Sequence, residues 1–270
     1  MKPKVSVLIP VYNAAPFLRG TIASVLNQTF SDFELILLND CSTDESEQVI
    51  LEFHDKRIRY YKNEHNLGIA LSRNKLIEFS KGEYLAFCDA DDLMKPQRLE
   101  KQVAYMDCHK DISGVGSYFE LFDSKKENLF RRIILFFGII WCQPLHPTIE
   151  DLLKGVVVAQ PTEMIRKKDF IRHHISYKET YAPAEDYEAL KEAMFKGLKF
   201  ANIPEILMLY NLHGHNSSIQ RKKKVIAATE EVQKEISSFL GRPYKKYPRW
   251  KVILEKMRLR FFVLRMSHVS

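Results

Sequence analysis

Strand-like and helix-like segments alternate without interruption through residues 5–92, and few features restrict a fold more. VSVLIPVYN (5–13) reads as an apolar strand, and PFLRGTIASVLNQ (16–28) has helical spacing through Phe17, Ile22, Val25 and Leu26. FELILLND (33–40) is a second strand, with SEQVILEFH (46–54) as its helix. IRYYKN (58–63) is a short third strand and GIALSRNKLIEFS (68–80) a third helix, and YLAFCDADD (84–92) closes the series. Such alternation predicts a parallel sheet with helices on both faces. The strands are continuously apolar rather than alternating, which agrees with burial on both sides.

Each strand ends in polar residues. The first runs into Pro10, Tyr12 and Asn13 and the second into Asn39 and Asp40. The third ends at Asn63, shortly before Asn66 and Gly68, and the fourth at Asp89, Asp91 and Asp92. One such ending means little, because turns favour Asn and Asp. Four delivered to one edge define a site, since open α/β sheets bind ligands outside the carboxyl ends of their strands. This half is expected to bind a nucleotide.

The later segments are less regular. PQRLEKQVAYMD (96–107) predicts a helix and SGVGSYFELFD (113–123) a strand. AQPTEMIRKKDFI (159–171) reads as a strand, a turn and the start of a helix; AEDYEALKEAMFKG (184–197) is an amphipathic helix. FANIPEILMLYNLH (200–213) is expected to form a strand pair. The uncharged run IILFFGIIWC (133–142) is about half the length of a membrane span, so it predicts a buried element or a membrane-facing patch. Four scattered cysteines without a C-x-x-C pair, and an N-terminal apolar stretch too short for a signal peptide, predict a cytoplasmic setting.

Asp89-Ala90-Asp91 puts two carboxylates at a strand end, where the chain can turn both toward one cavity. Hard oxygen ligands of this kind suit Mg²⁺ or Mn²⁺, usually completed by substrate phosphates. The same residues would also form an ordinary Asx turn. No G-x-x-x-x-G-K-[ST] is present, and no G-x-G-x-x-G follows a strand, which argues against a P-loop and the usual dinucleotide site. Phosphatases of the haloacid dehalogenase type carry their D-x-D after the first strand, whereas here it follows the fourth.

PVYN (10–13), ND-C-STD (39–44), NLGIALSRN (66–74), DADD (89–92) and AED (184–186) occur in this order. The set resembles the family 2 glycosyltransferases of the GT-A fold, inverting enzymes often used for bacterial surface polysaccharide, over about residues 3–218. The resemblance implies a Rossmann-like nucleotide-binding half (1–98) fused to an acceptor-binding half (99–220); it does not reach the tail, where a basic helical C-terminal extension (221–270) is expected. It implies a UDP-sugar donor, a glycan or lipid-linked acceptor, and Mn²⁺ or Mg²⁺. Pro10, Tyr12, Asn13, Asp40, Gly68, Arg73, Asp89 and Ala90 would face the nucleotide. Among these, Tyr12 would stack on the base, and Asp40 would bond the base or ribose unless it serves as a cap. Gly68 would allow close backbone approach, and Arg73 would reach the diphosphate or pair with an acid. Asp89 and Asp91 would serve the metal, joined by His213 of YNLHGHNSS (210–218), where Asn211 replaces the family's usual arginine. Asp186 would be the general base that takes the acceptor hydroxyl proton. Ser42 and Asp44 are expected to cap the following helix, Asp92 a helix near Pro96, and Asn74 to be structural. Two other readings stay open: a catalytically idle glycan- or partner-binding module, and a nucleotidyltransferase.

The net charge of +7 is uneven. Residues 221–270 hold 14 Lys and Arg against 4 Asp and Glu, leaving 27 against 30 elsewhere, which argues against a nucleic-acid binder. RWKVILEKMRLRFFVLRM (249–266) is expected to form one helix, with Trp250, Ile253, Leu254, Met257, Phe261 and Leu264 on one face and basic margins. That pattern suits an anionic membrane surface, or equally a helix packed on the catalytic domain.

Overall fold

The computed structural model describes residues 2–123, 138–214, 216 and 220–259. Strands β1 (Val5–Val11), β2 (Phe33–Asn39), β3 (Ile58–Lys62) and β4 (Tyr84–Phe87) are parallel and lie in the order β3-β2-β1-β4. Helices α1 (Ala15–Leu26), α2 (Ser46–Leu51) and α3 (Ile69–Phe79) connect them. The order reverses at β1, whose neighbours are β2 and β4, and such a switch point at the carboxyl edge is where open α/β sheets bind ligands. The two-residue period of the strands divides the core. Val5, Val7, Ile9 and Val11 bury with Leu18, Ile22 and Val25 of α1, while Leu8, Ile36, Leu38 and Leu85 bury with Ala70, Leu76 and Ile77 of α3. Each such side chain contributes about 1.5–3 kcal/mol on burial.

The second half extends this sheet. β5 (Leu93–Met94) and α4 (Arg98–Cys108) lead to β6 (Gly114–Phe122), then β7 (Ile139–Trp141) and α5 (Ile149–Leu152). β8 (Met164–Arg166) and α6 (Lys167–Arg172) follow, then α7 (Glu185–Phe195) and β9 (Phe200–Asn211). β8 runs antiparallel between β4 and β6, β7 pairs antiparallel with β6, and β9 lies parallel to β6 with β5 on its other side. The expected strand pair at 200–213 is a single strand. Its register against β6 slips between Ser117 and Phe119, where Pro204 lacks the N–H a ladder needs, so a bulge replaces a turn. In β6, opposite Asn202 of β9, a Cβ on Gly116 would lie 2.3 Å from Asn202 Oδ1, and that amide is held by Pro144 O and Val157 O, so the position favours glycine.

The C-terminal extension is built onto this body. α8 (Lys222–Phe239) buries Val232 and Ile236 in the same cluster as Leu190 and Ala193 of α7. The expected single helix over 249–266 does not form. α9 (Arg249–Lys256) stops at Lys256, and β10 (Met257–Leu259) pairs antiparallel with β7, Met257 opposite Trp141. The Lys256 ammonium turns inward onto Val156 O at 2.5 Å, and Cys142 N donates to Lys256 O at 2.8 Å. Burial pushes that amine down to about 8. These contacts outweigh the helical periodicity that sequence alone displays. Of the apolar run 133–142, the β7 residues Ile139 and Ile140 are buried. Residues 133–137 and 260–266 lie outside the described residues.

Candidate active site at the carboxyl edge of the sheet

The loops after β1 and β2 are stitched together. Asn13, at φ 50°, accepts from Thr43 N at 2.8 Å, and Ala14 N donates to Ser46 Oγ at 2.9 Å. Asp44 Oδ2 accepts from Ala15 N, the first residue of α1, and its Oδ1 from Ser46 N, the first of α2, both at 3.0 Å. Asp44 thus serves two helix starts, whereas Ser42 Oγ accepts from Asn13 N and caps no helix. Tyr12 stands half-exposed at the end of β1, and Pro10 is partly buried within that strand.

Asp40 is buried and its oxygens are occupied. Oδ1 accepts from Asn63 Nδ2 and Leu67 N, both at 2.8 Å, and Oδ2 accepts from Gly68 N at 2.9 Å. It shapes the loop that enters α3, at whose head Gly68 takes φ +81° with open space where a side chain would be. One turn into α3, the buried Arg73 guanidinium joins two segments. Nη1 donates to Glu185 at 2.6 Å and Nη2 to Asp89 at 3.3 Å. Burial alone would weaken the guanidinium's hold on its proton, but the Asp89 and Glu185 charges raise it above its ordinary value. Asn74 is structural, as expected: it exchanges hydrogen bonds with Tyr177 N and O at 2.9 and 2.8 Å.

The three aspartates after β4 have separate environments. Asp89 keeps about a third of its side chain open; burial raises its pKa, Arg73 opposes this, and Asp91 and Asp186 add to it. Ala90 is buried, and its carbonyl accepts from Thr21 Oγ1 at 2.9 Å. Asp91 Oδ2 lies 2.7 Å from His213 Nε2 and 3.3 Å from Asn216 Nδ2. His213 is buried and stacks on Phe17 with centroids 4.3 Å apart. Asp92 does not cap a helix. Its Oδ1 accepts from Asn211 N at 2.9 Å, while Oδ2 is buried without a hydrogen-bond partner. Burial, then the charges of Asp91 and Asp89, push its pKa well up.

Asp186 arrives from the first turn of α7, where Glu185, Asp186 and Glu188 suit the positive end of the helix. Its Oδ1 accepts from Tyr187 N at 2.7 Å, and the rest of the side chain is partly open. Arg73 fastens this turn to the Asp89 strand end, so acids separated by nearly a hundred residues share one wall. That wall holds groups the motifs do not point to. Glu163 is buried, and its pKa is pushed up to about 8 by burial and then by the Asp186 charge, against Arg73 and Arg98. Arg98, fully buried, donates to Phe87 O at 2.8 Å and to Glu163 O at 3.3 Å. Tyr177 lies under Arg73 and accepts from Gln160 Nε2 at 2.7 Å. No local motif marks any of the three; Arg98 is buried with Leu99, Gln102 and Val103 on the inward side of α4. A cavity of about 560 Å³ between His109, His146 and Leu198 is lined by none of these acids.

Among the described residues no group of three or more His, Cys, Asp or Glu converges as a ready-made metal cage. Asp91 and His213 nevertheless fit Mg²⁺ or Mn²⁺, which commonly take one or two protein ligands and leave the remaining positions to phosphates and water. Asp91 supplies the hard carboxylate oxygen such an ion prefers, and His213 Nε2, now hydrogen-bonded to it at 2.7 Å, would exchange that bond for the ion.

The fold is that of the GT-A glycosyltransferases. The architecture matches S. aureus TarS in complex with UDP-GlcNAc, at TM-score 0.69 and 18% identity over 93% of this chain and 71% of that one. It also matches the mannosyltransferase PcManGT from Pyrobaculum calidifontis in complex with GDP-Man and Mn²⁺, at TM-score 0.62 and 16% identity over 94% and 69%. Residues 6–173 match the model of glycosyl transferase family 2, and the chain belongs to that family. An uncharacterized glycosyltransferase of Haemophilus influenzae is 36% identical over 80% of this chain and 68% of its own length. WfaP of Escherichia coli, a UDP-Glc:alpha-D-GlcNAc-diphosphoundecaprenol beta-1,3-glucosyltransferase, is 27% identical over 82% of each. The chain is thus a glycosyltransferase.

Proposed function

We propose that the enzyme transfers a sugar, with inversion, from a UDP-sugar to a hydroxyl of a lipid-linked glycan at the inner face of the cytoplasmic membrane. The observation that carries this is the Arg73 bridge, which brings the Asp186 turn of α7 to the Asp89–Asp91 strand end. An inverting displacement needs one carboxylate that takes the acceptor proton while the nucleoside diphosphate leaves from the opposite side. Asp186, partly open and backed by a neutral or paired set of acids, suits that base. Glu185 is buried and its carboxylate is bound to the Arg73 guanidinium at 2.6 Å, so it is closed to an incoming hydroxyl and acts as a positioning group.

Tyr12, beside Pro10 and Asn13, offers an exposed ring for the nucleobase at the mouth of the crevice. Asp40 acts indirectly in this reading, by fixing the Gly68 loop against which the nucleotide lies. Asp91 and His213 would hold Mn²⁺ or Mg²⁺, and the bound ion would neutralise charge on the departing diphosphate. TarS in complex with UDP-GlcNAc and WfaP with its UDP-Glc donor and diphosphoundecaprenol-linked acceptor support the donor and acceptor classes.

The test is product analysis with a panel of nucleotide-sugars and Mn²⁺, on wild type and Asp186→Asn. Release of UDP with an inverted product anomer is expected. The substitution should lower kcat by about 10²–10⁴-fold with little change in donor binding. Pyrophosphate release would make the enzyme a nucleotidyltransferase, and donor binding without turnover would make it an idle module. Full activity of Asp186→Asn would remove Asp186 as the base.

A further inference from the structure

Of the nine large apolar side chains left exposed among the described residues, three fall in one five-residue stretch: Trp250 (61%), Ile253 (43%) and Leu254 (63%). Their spacing at i, i+3 and i+4 sets them on one face of α9. Singly exposed apolar residues need no explanation, whereas a contiguous face does. α9 is held in place at its far end by Lys256 on Val156 O and by the β10–β7 pairing. The outward face is therefore a fixed feature of the surface.

Cations gather at the same end of the molecule. The segment after α8 returns along that helix: Arg242 N donates to Ser237 O, Tyr244 Oη to Gln233 Oε1, and Lys246 to Glu230. Each step toward α9 is thus a step back toward the start of α8, where Arg221, Lys222, Lys223 and Lys224 all stand exposed. Positive charge there opposes the helix dipole, so local helix stability does not account for it. Lys251 adds an exposed ammonium 5.5 Å from the Trp250 ring. This cationic turn also borders the active site. Gln220 N donates to Asn216 O at 3.0 Å, and the Asn216 side chain reaches Asp91.

We propose that the apolar face of α9 and the cationic start of α8 together dock on the anionic surface of a lipid bilayer, with the mouth of the active site turned toward it. A short Trp-Ile-Leu face flanked by Lys and Arg seats at the level of the headgroups, where apolar burial and attraction to anionic lipid act together. Among the described residues no helix is long and apolar enough to cross a membrane, so the contact is peripheral. The docking stands on this surface alone. That it presents a lipid-borne acceptor to Asp186 rests on the reading of the active site given above.

The test is co-sedimentation of the full chain with vesicles of phosphatidylcholine plus phosphatidylglycerol, and with phosphatidylcholine alone. Two variants accompany wild type: Ile253→Glu with Leu254→Glu, and Lys222→Glu with Lys223→Glu and Lys224→Glu. Calorimetric UDP binding reports that each variant is folded. Wild type should bind the anionic vesicles, lose binding in high salt, and shift Trp250 emission to the blue in a Trp141→Phe background. Each variant should bind about tenfold or more weakly while keeping its UDP affinity. No sedimentation of wild type at low salt overturns the docking, as does vesicle binding unchanged in the Ile253/Leu254 variant. Vesicle binding by a chain that ignores UDP would leave the docking intact and remove the sugar-transfer reading instead.

Discussion

Replacing Glu163 with Gln isolates a single buried charge. In the folded protein its carboxyl is pushed up to about 8, against 4.5 for an ordinary glutamate. Between those values the folded chain holds a proton that the unfolded chain has released, so the unfolding free energy falls as pH rises from 4.5 toward 8 and then levels off. A gap of about 3.5 pH units at about 1.4 kcal/mol each gives an upper limit of about 5 kcal/mol. Relaxation and water entry reduce this, and about 2–4 kcal/mol is the expected loss. Glutamine has nearly the same shape as the neutral acid and does not titrate. Urea unfolding of wild type and Glu163→Gln from pH 5 to 9, without added divalent ions, should show the variant gaining stability over wild type by that amount as pH rises. Asp92, Asp89 and Glu185 also titrate upward, but they are common to both proteins and cancel in the difference. A difference that stays flat across the range would mean that Glu163 is ionised in the folded state throughout and that its burial does not hold the proton.

Removing the Arg73 bridge should be costly: Arg73→Ala leaves Glu185 and Asp89 without their cation and is expected to lose about 3–5 kcal/mol, measured by urea unfolding. Adding Glu185→Leu to an Arg73→Met background should restore much of that stability without restoring turnover. Calorimetric UDP binding should tighten with Mn²⁺ in wild type, and Asp91→Ala and His213→Ala should each abolish that gain. Retention of the gain in both variants would place the ion elsewhere.

The alternation of the first four strands was readable because each segment carries its own period and polar stop, and the structure places all four in one parallel sheet. That Asp89 and Asp91 follow a strand and Asp186 opens a helix was readable for a related reason, since short motifs mark strand and helix ends. Glu163, Arg98 and Tyr177 were not, because nothing local distinguishes them. Arg98 meets Glu163 O across 65 positions of sequence, and the acid's character comes wholly from burial and from Asp186. Asp40 shows the opposite failure: its motif was visible, but the Asn63, Leu67 and Gly68 donors that occupy it arrive from another loop. The tail misled for a physical reason as well. Its apolar residues keep helical phase past Lys256, yet the open edge of β7 and a buried carbonyl at Val156 draw the chain into a strand.

The β10–β7 pairing also bears on how the chain is made. β7 is flanked by β6 on one side and waits for β10, roughly 120 residues later, on the other. At ribosomal speed that interval lasts roughly 6–24 s. Throughout it the nascent catalytic sheet carries a bare edge of Ile139, Ile140 and Trp141, a template for pairing with a neighbouring nascent chain on the same message. The edge laid down with β7 is covered only when β10 has been made, so translation itself sets the time window in which this protein is open to misassembly.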